Sequence, residues 1–277
     1  MNFIALSSLP RSGSTLLMYI LNQNPKFTIG PDSEISYILN NNKSHIKDHI
    51  RGYQIRHQTA TECFLNFCRS GTQAWIDTLV NDENIFIDKS RGWIIDMDFT
   101  FKVFPELKMI INIRDLRSVV NSFEKVNSES IYVDAKGYYK NIETDLQRQR
   151  LDGILNFNML KDALMSLKEL IEIPKKYNSN ILITRHEDLI EDPNYFMQTL
   201  YDFLDLPYFQ HDFENIEQDN NYYDNVYMPY GNHKIRNSLE KTVSQKFEYI
   251  RPDLLEQLTK GYSWYFKNFY SDRISIK

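Results

Sequence analysis

Four short apolar segments alternate along this chain with longer helical patterns. The segments are Phe3–Leu6, Asn84–Ile87, Lys108–Ile113 and Asn180–Ile183. They are rich in β-branched residues and apolar on both faces, which is typical of parallel strands covered by helices on each side. Strands that alternate with helices predict an α/β fold, with a short parallel sheet flanked by helices in three α/β/α layers.

The helical patterns fill most of the chain between and after these segments. They cover Ser14–Leu21, Glu34–Asn40, 44–80, Leu116–Val126, Asp152–Lys176 and a C-terminal stretch from Pro252 to Phe269. No repeat, low-complexity tract or linker divides the 277 residues, so we expect one domain over 1–277. The segment Asn215–Asn232 is dense in Asn, Asp and Tyr without periodicity, which predicts a loop or a lid.

Composition excludes several classes of protein. An aromatic content of 14% is too high for a disordered chain. A net charge of −5 excludes a broad basic face for nucleic acid, but it leaves room for a small basic pocket. No apolar run reaches the length of a membrane helix and the N-terminus lacks a basic leader, so we expect a soluble, cytoplasmic protein without a membrane partner. Cys63 and Cys68 are expected to be half-buried thiols on a helix in a reducing compartment.

A loop with phosphate-binding character joins the first strand to the first helix. It reads Ser8-Leu9-Pro10-Arg11-Ser12-Gly13-Ser14-Thr15. The amides at a helix N-terminus favour an anion at this position. Gly13 and Thr15 match the nucleotide-binding P-loop pattern, whereas Ser14 replaces its lysine and Ser8 its first glycine. Arg11 supplies the positive charge from inside the loop. The alternative is a tight turn with a capping serine.

A second anion-binding block follows the strand at Lys108–Ile113. Arg114 leaves its carboxyl end, where ligands bind in open α/β sheets, and Ser122 lies in the second turn of the next helix. An arginine fork suits a terminal phosphate. The alternative is a surface salt bridge among Arg114, Asp115 and Arg117.

Together the two blocks resemble those of sulfotransferases that use 3′-phosphoadenosine 5′-phosphosulfate (PAPS). Pro-Arg-Ser-Gly-Ser-Thr-Leu-Leu is similar to their 5′-phosphosulfate loop, especially in tyrosylprotein sulfotransferases and related Golgi and bacterial enzymes, and Ile111–Ser122 is similar to their 3′-phosphate block. The resemblance implies a P-loop-type fold and in-line transfer of a sulfuryl group from PAPS to a hydroxyl or amine. It also implies that residues 10–15, Arg114 and Ser122 bind the donor.

Further residues follow from the same resemblance. Lys89, at a strand end, matches the lysine that steadies the leaving group, although a lysine there is more often solvated. His186 replaces the tyrosine of an adenine-side segment that ends in Glu-Asp-Leu, and Lys234 stands where the family has a cofactor-covering loop or, alternatively, in an exposed turn. Arg91 is either structural or a phosphate contact, and Trp93 lies either in the core or near the adenine.

The base that accepts the acceptor's proton is expected after the first helix, in Gly30-Pro31-Asp32-Ser33-Glu34. An ungapped match to the family places the catalytic carboxylate at Asp32, and a two-residue shift places it at Glu34. Either could instead favour the next helix N-terminus through its charge. His57 and His233 are the next candidates.

No metal is expected to take part. His45 and His49 are spaced for one helix face, but no third ligand stands near them in the sequence. The acceptor could be a small molecule, a glycan or a peptide. The competing functions are a P-loop kinase-like nucleotide-dependent transferase, which the missing lysine disfavours, and a non-catalytic anion- or nucleotide-binding relative.

Overall fold

A parallel five-stranded sheet forms the centre of the computed structural model, which describes residues 3–30, 33–41, 60–80, 84–95, 97–129, 146–172, 175–217, 237–239 and 247–273. The strand order is β2-β3-β1-β4-β5, and every neighbouring pair is parallel. The strands are β1 (Phe3–Ser8), β2 (Phe27–Gly30), β3 (Ile85–Lys89), β4 (Lys108–Ile113) and β5 (Ile181–Arg185). The predicted parallel α/β fold is confirmed.

Four of the strands match the apolar segments closely, and β2 is the one that the sequence did not predict. Its four residues pair with Ile85–Asp88 at the edge of the sheet. A strand of four residues that ends at Gly30 carries too few apolar residues to stand out as a pattern. It forms because β3 supplies its hydrogen-bond partners.

Helices cover both faces of the sheet. They are α1 (Ser14–Leu21), α2 (Ala60–Asp77), α3 (Met97–Val103), α4 (Leu116–Glu129), α5 (Leu146–Leu155), α6 (Asn158–Glu172), α7 (His186–Glu191), α8 (Pro193–Leu204), α9 (Pro252–Gly261) and α10 (Ser263–Phe269). Residues 35–41 are also helical. Short 3₁₀ helices span Arg91–Ile94 and Lys175–Asn180.

Two of the predicted helices are broken. The helix expected over Asp152–Lys176 is wrong as a single element, because Asn156 turns its side-chain amide onto the Asp152 carbonyl at 2.9 Å and the chain leaves the helix there. The C-terminal helix breaks at Tyr262, which follows Gly261. Of the pattern at 44–80, the part before residue 60 lies outside the described residues.

Alternate residues of the central strands enter two separate hydrophobic clusters. Phe3 and Ala5 of β1 pack into the cluster that contains Trp93 and the C-terminal helices, whereas Ile4 and Leu6 pack with α1 and α8. All four are buried. Both faces of the sheet are therefore covered, which explains why its strands read as continuous apolar runs.

Cys63 and Cys68 both lie on α2, as expected, but they are not both half-buried. Cys63 is exposed and Cys68 is buried, because five residues carry the chain to the other side of a helix.

Among the helices that the structure describes, none combines the length and the apolar composition needed to cross a membrane.

Candidate functional site

The carboxyl ends of all five strands meet at one edge of the sheet, because every strand is parallel to its neighbours. The predicted residues of the described chain follow these ends. They are the loop 8–15 after β1, Glu34 after β2, Lys89 at the end of β3, Arg114 and Ser122 after β4, and His186 after β5. Segments that are far apart in sequence thus converge where open α/β sheets bind ligands.

The loop after β1 is held by its own side chains. The Ser8 hydroxyl donates to the Ser14 hydroxyl at 2.9 Å, so the two positions that depart from the P-loop pattern contact each other. The Ser12 hydroxyl donates to the Leu9 carbonyl at 2.7 Å. Pro10 is buried and Thr15 is half-buried. Gly13 precedes α1 and has no side chain to cap it, so the first amides of the helix are available to an anion.

Gly13 is required at its position for two reasons. Its φ of 80° is in the left-handed region that favours glycine, and a Cβ there would lie 2.4 Å from Nδ1 of His186. The His186 imidazole therefore packs directly against the loop at residues 8–15, the phosphate loop. Its Nδ1 is buried without a hydrogen-bond partner, and burial, followed by the charge of Arg114, lowers the pKa of His186 to about 3. The ring is neutral at physiological pH.

Arg11 and Arg114 converge on the same loop. Arg11 has a φ of 61°, and its Nε donates to the Ser122 hydroxyl at 3.0 Å. Arg114 donates from Nη1 to the Arg11 carbonyl at 3.0 Å, and its Nε is buried without a partner. The predicted residues of the two motifs are thus brought together, although Ser122 contacts Arg11 and not Arg114.

Electrostatics at this edge favour an anionic ligand. Burial lowers the pKa of Arg11, and the charges of Arg114 and Arg91 lower it further. Burial also lowers the pKa of Arg114, while Glu187, Tyr270 and Asp115 oppose that shift. Arg11, a half-buried cation on which two further cations act, would therefore gain from a polyanion bound beside it.

The proposed surface salt bridge forms only in part. Arg117 pairs with Asp115 through Nη2 at 2.6 Å and Nε at 3.0 Å, but Arg114 takes no part in that pair. Asp115 is only 2% exposed, so the pair is not a surface one. Arg114 points toward the loop instead.

Asn112 also contributes to the site, although the sequence motifs did not identify it as a site residue. It is fully buried on β4, donates to the Ser12 carbonyl at 2.8 Å and accepts from the Thr184 hydroxyl at 2.9 Å. It therefore ties the phosphate loop to β4 and β5. The available signal was that Asn112 interrupts the apolar run from Met109 to Ile113, since a buried amide needs hydrogen-bond partners.

Asp88 organises the β2–β3 side of the site. This fully buried carboxylate accepts from the Ser33 amide at 3.2 Å, from the Ser33 hydroxyl at 2.9 Å and from Trp93 Nε1 at 2.7 Å. Trp93 is 1% exposed and packs in the core, so its core assignment is confirmed over the adenine one. Ser33 places the exposed Glu34 at the same strand ends as Lys89, which is half-buried.

Arg91 also belongs to this edge. Its carbonyl accepts from the Ser7 hydroxyl at 3.2 Å, and its charge acts on Arg11. The next residue, Gly92, packs closely against Ser36. A Cβ added to Gly92 would lie 2.3 Å from the Ser36 hydroxyl oxygen. The Ser36 and Ser90 hydroxyls are 2.7 Å apart, which joins the helical residues 35–41 to the end of β3.

Several predicted residues lie outside the described part of the chain. They are Asp32, His45, His49, His57, His233 and Lys234. Within the described ranges, no group of three or more His, Cys, Asp or Glu side chains is arranged to hold a metal ion.

Comparison with known proteins points to a single family. Residues 4–210 match the family model described as the sulfotransferase family. No curated protein sequence matches the chain. Solved structures with the same fold include the sulfotransferase domain from the curacin biosynthetic pathway, at a TM-score of 0.54 and 15% identity over 94% of this chain and 96% of that one.

Two further structures extend this likeness. The sulfotransferase domain of the Synechococcus PCC 7002 olefin synthase has a TM-score of 0.54 and 17% identity, covering 95% of this chain and 94% of that one. Mouse sulfotransferase SULT7A1, solved in complex with 3′-phosphoadenosine 5′-phosphate (PAP), has a TM-score of 0.53 and 13% identity, covering 98% and 86%. At such identities the likeness is one of fold.

Proposed function

The chain belongs to the sulfotransferase family and is a transferase of sulfuryl groups, and from that premise we propose that its donor is PAPS and that the edge residues described above bind it. The observation that carries this proposal is the convergence of Arg11 and Arg114 beside the uncapped N-terminus of α1. The mouse relative bound to PAP supports the same donor.

We assign donor binding to two groups of residues. Pro10, Arg11 and the amides of Ser12 to Thr15 hold the 5′-phosphosulfate, because a helix N-terminus and an arginine both favour oxyanions. Arg114 and Ser122 hold the 3′-phosphate, for which the unpartnered Nε of Arg114 is a suitable donor. To His186, which lies against the loop, we assign the adenosine side of the donor, and to Lys234 the role of the cofactor-covering lysine.

The donor supplies an activated sulfuryl group whose bond to the 5′-phosphate oxygen breaks as the acceptor oxygen or nitrogen attacks in line. Lys89 offsets the charge that grows on the leaving phosphate oxygen, and Arg11 stabilises the sulfate oxygens. The acceptor proton passes to Asp32 or Glu34, which leaves the sulfated acceptor and PAP. Positioning and electrostatics provide the catalysis, as in phosphoryl transfer.

The first competing function, a P-loop kinase-like transferase, lacks its main catalytic group here. Ser14 replaces the P-loop lysine, and its hydroxyl is engaged with Ser8 inside the loop. The second, a non-catalytic binder, keeps the same anion site, so turnover has to separate it from an enzyme. For the acceptor we propose a small molecule, a glycan or a peptide. We place the protein in the cytoplasm.

Thermal-shift titration followed by a turnover assay tests the function. We expect PAP to raise Tm without Mg²⁺, Mg-ATP to raise it less, and transfer from PAPS to continue in EDTA, because Arg11 and the backbone amides of the loop balance the donor charge. Stabilisation by Mg-ATP alone, or turnover that EDTA abolishes and Mg²⁺ restores, would contradict the proposal. PAP binding without turnover over a broad acceptor panel would favour the binder.

A further inference from the structure

Both polar groups of one peptide unit, the one between Arg114 and Asp115, are bound by side chains from elsewhere in the fold. The Tyr265 hydroxyl on α10 donates to the Arg114 carbonyl at 2.7 Å. The Asp115 amide donates to Oε1 of Glu187 at 3.0 Å. This peptide follows the end of β4, so no neighbouring strand supplies these partners. Hydrogen bonds to its carbonyl and to its amide therefore fix the orientation of this peptide plane.

A second tyrosine fixes the carboxylate that holds this peptide. The Tyr270 hydroxyl donates to Oε2 of Glu187 at 2.9 Å, so Glu187 is held between Tyr270 and the Asp115 amide. Tyr265 and Tyr270 are both buried and their rings stack at 5.8 Å. Burial raises the pKa of both phenols, so each hydroxyl remains a donor across the physiological range.

The segment that carries these tyrosines is fastened to α7. Arg185, which precedes α7, donates to the Phe269 carbonyl at 3.2 Å and to Asp272 at 2.6 Å. Arg273 donates to Glu191 at 2.7 Å. The C-terminal segment, through Tyr265, and α7, through Glu187, are therefore joined to each other and both hydrogen-bond to the Arg114–Asp115 peptide. Residues 265 and 270 lie beyond the region that the family model matches, which ends at residue 210.

We propose that Tyr265 and Tyr270 are positioning residues for the donor phosphate, which they align by fixing the backbone from which the Arg114 side chain departs. This inference rests on the proposed function, in which Arg114 binds the 3′-phosphate. The guanidinium has a defined place only if its Cα and peptide plane are fixed, since hydrogen bonds to phosphate depend steeply on distance and angle. The tyrosines themselves need not touch the donor.

The primary test measures the Kd of PAP by calorimetry for Tyr265→Phe, Tyr270→Phe and Tyr201→Phe. We expect about a 3- to 10-fold loss of affinity for Tyr265→Phe, which removes one hydrogen bond to the peptide, and a smaller loss for Tyr270→Phe, which acts through Glu187. Tyr201→Phe is the matched control. It also removes a buried hydroxyl, which accepts from Asn24 at 2.8 Å, but it lies away from this edge.

A double-mutant cycle with Arg114→Ala separates positioning from a general loss of structure. We expect Tyr265→Phe to have little further effect on the Kd when Arg114 is absent, and its full effect when Arg11→Ala is the background. Circular dichroism and Tm establish that each variant is folded. If Tyr265→Phe does not fold, Tyr270→Phe is taken through the same cycle.

Three outcomes are distinguishable. An unchanged Kd in Arg114→Ala itself contradicts the proposed function at this site. A weakened Kd in Arg114→Ala with an unchanged Kd in both tyrosine variants overturns the inference alone. Equal losses for Tyr265→Phe in the wild-type and Arg114→Ala backgrounds, or an equal loss in Tyr201→Phe, also overturn it, because the effect would not pass through Arg114.

Discussion

Two polar clusters lie at opposite ends of the same sheet, and they are built on different principles. At the carboxyl ends, burial and the charges of Arg114 and Arg91 lower the pKa of Arg11 beside the uncapped N-terminus of α1. Toward the amino ends, just before β2, Asn24 donates to the Tyr201 hydroxyl at 2.8 Å, and that hydroxyl lies 3.1 Å from Nε2 of His211. The first cluster gathers like charge, whereas the second joins neutral groups to one another.

One histidine in each cluster shows what this difference means. Burial lowers the pKa of His186 to about 3 and that of His211 to about 4. Arg114 adds to the shift at His186, whereas the Ile20 carbonyl opposes the shift at His211. A bound anion would relieve the first environment and leave the second unchanged. Electrostatics therefore favour an anion at the carboxyl edge and not at the amino end.

The largest effect is expected from the carboxylates at the carboxyl edge. One of Asp32→Asn and Glu34→Gln should lower kcat by about 10²–10⁴-fold with little change in the Kd of the donor, because a base acts on the acceptor proton and not on donor binding. Steady-state turnover and PAP calorimetry measure the two quantities. Tyr201→Phe, at the other end of the sheet, should retain kcat. Normal turnover in both amide variants would move the base to His57 or His233.

A smaller effect is expected from the arginines. Arg11→Ala and Arg114→Ala should each weaken PAP binding by about 10- to 100-fold while Tm stays close to that of the wild type, since each loses charged hydrogen bonds to phosphate but little core packing. Calorimetry and thermal unfolding measure affinity and fold separately. Asn24→Ala reverses the pattern, with a lower Tm and an unchanged Kd. A Kd that neither arginine variant alters would remove the distinction between the two clusters.

The smallest effect is expected in the pH dependence of the free energy of unfolding, through His211 at the amino end of the sheet. Because His211 has a lowered pKa when folded, the unfolded chain binds more protons between about pH 6.5 and 4, and the free energy of unfolding should fall as the pH falls through that window. His211→Gln should remove about 1–2 kcal/mol of this dependence between pH 6.5 and 5, measured by urea unfolding.

His186→Gln serves as the comparison for that measurement. It should flatten the same profile, but saturating PAP should reduce its effect, since an anion counters the charge of Arg114. PAP should leave the His211→Gln difference unchanged. Equal sensitivity of both variants to PAP would show that the two ends of the sheet do not differ electrostatically as described.

Local signals in the sequence were sufficient for the elements that build the site. The apolar runs predicted β1, β3, β4 and β5, because a strand that is buried on both faces has apolar residues at successive positions. The loop at 8–15 was readable since a strand, an anion-binding turn and a helix follow one another directly. That Arg114 and the loop share an edge followed from parallel strands alone.

The amino-acid sequence is thus sufficient to predict the order of the strands and helices along the chain and the chemistry at the strand ends, because each depends on neighbours within a few residues. The tertiary structure alone decided the partners. β2 needed β3, Gly13 needed room for His186, Asn112 joined Ser12 to Thr184, and Tyr265 reached the Arg114 carbonyl across 151 residues. Such contacts leave no periodicity, since a buried polar group requires a partner but does not specify where along the chain that partner lies.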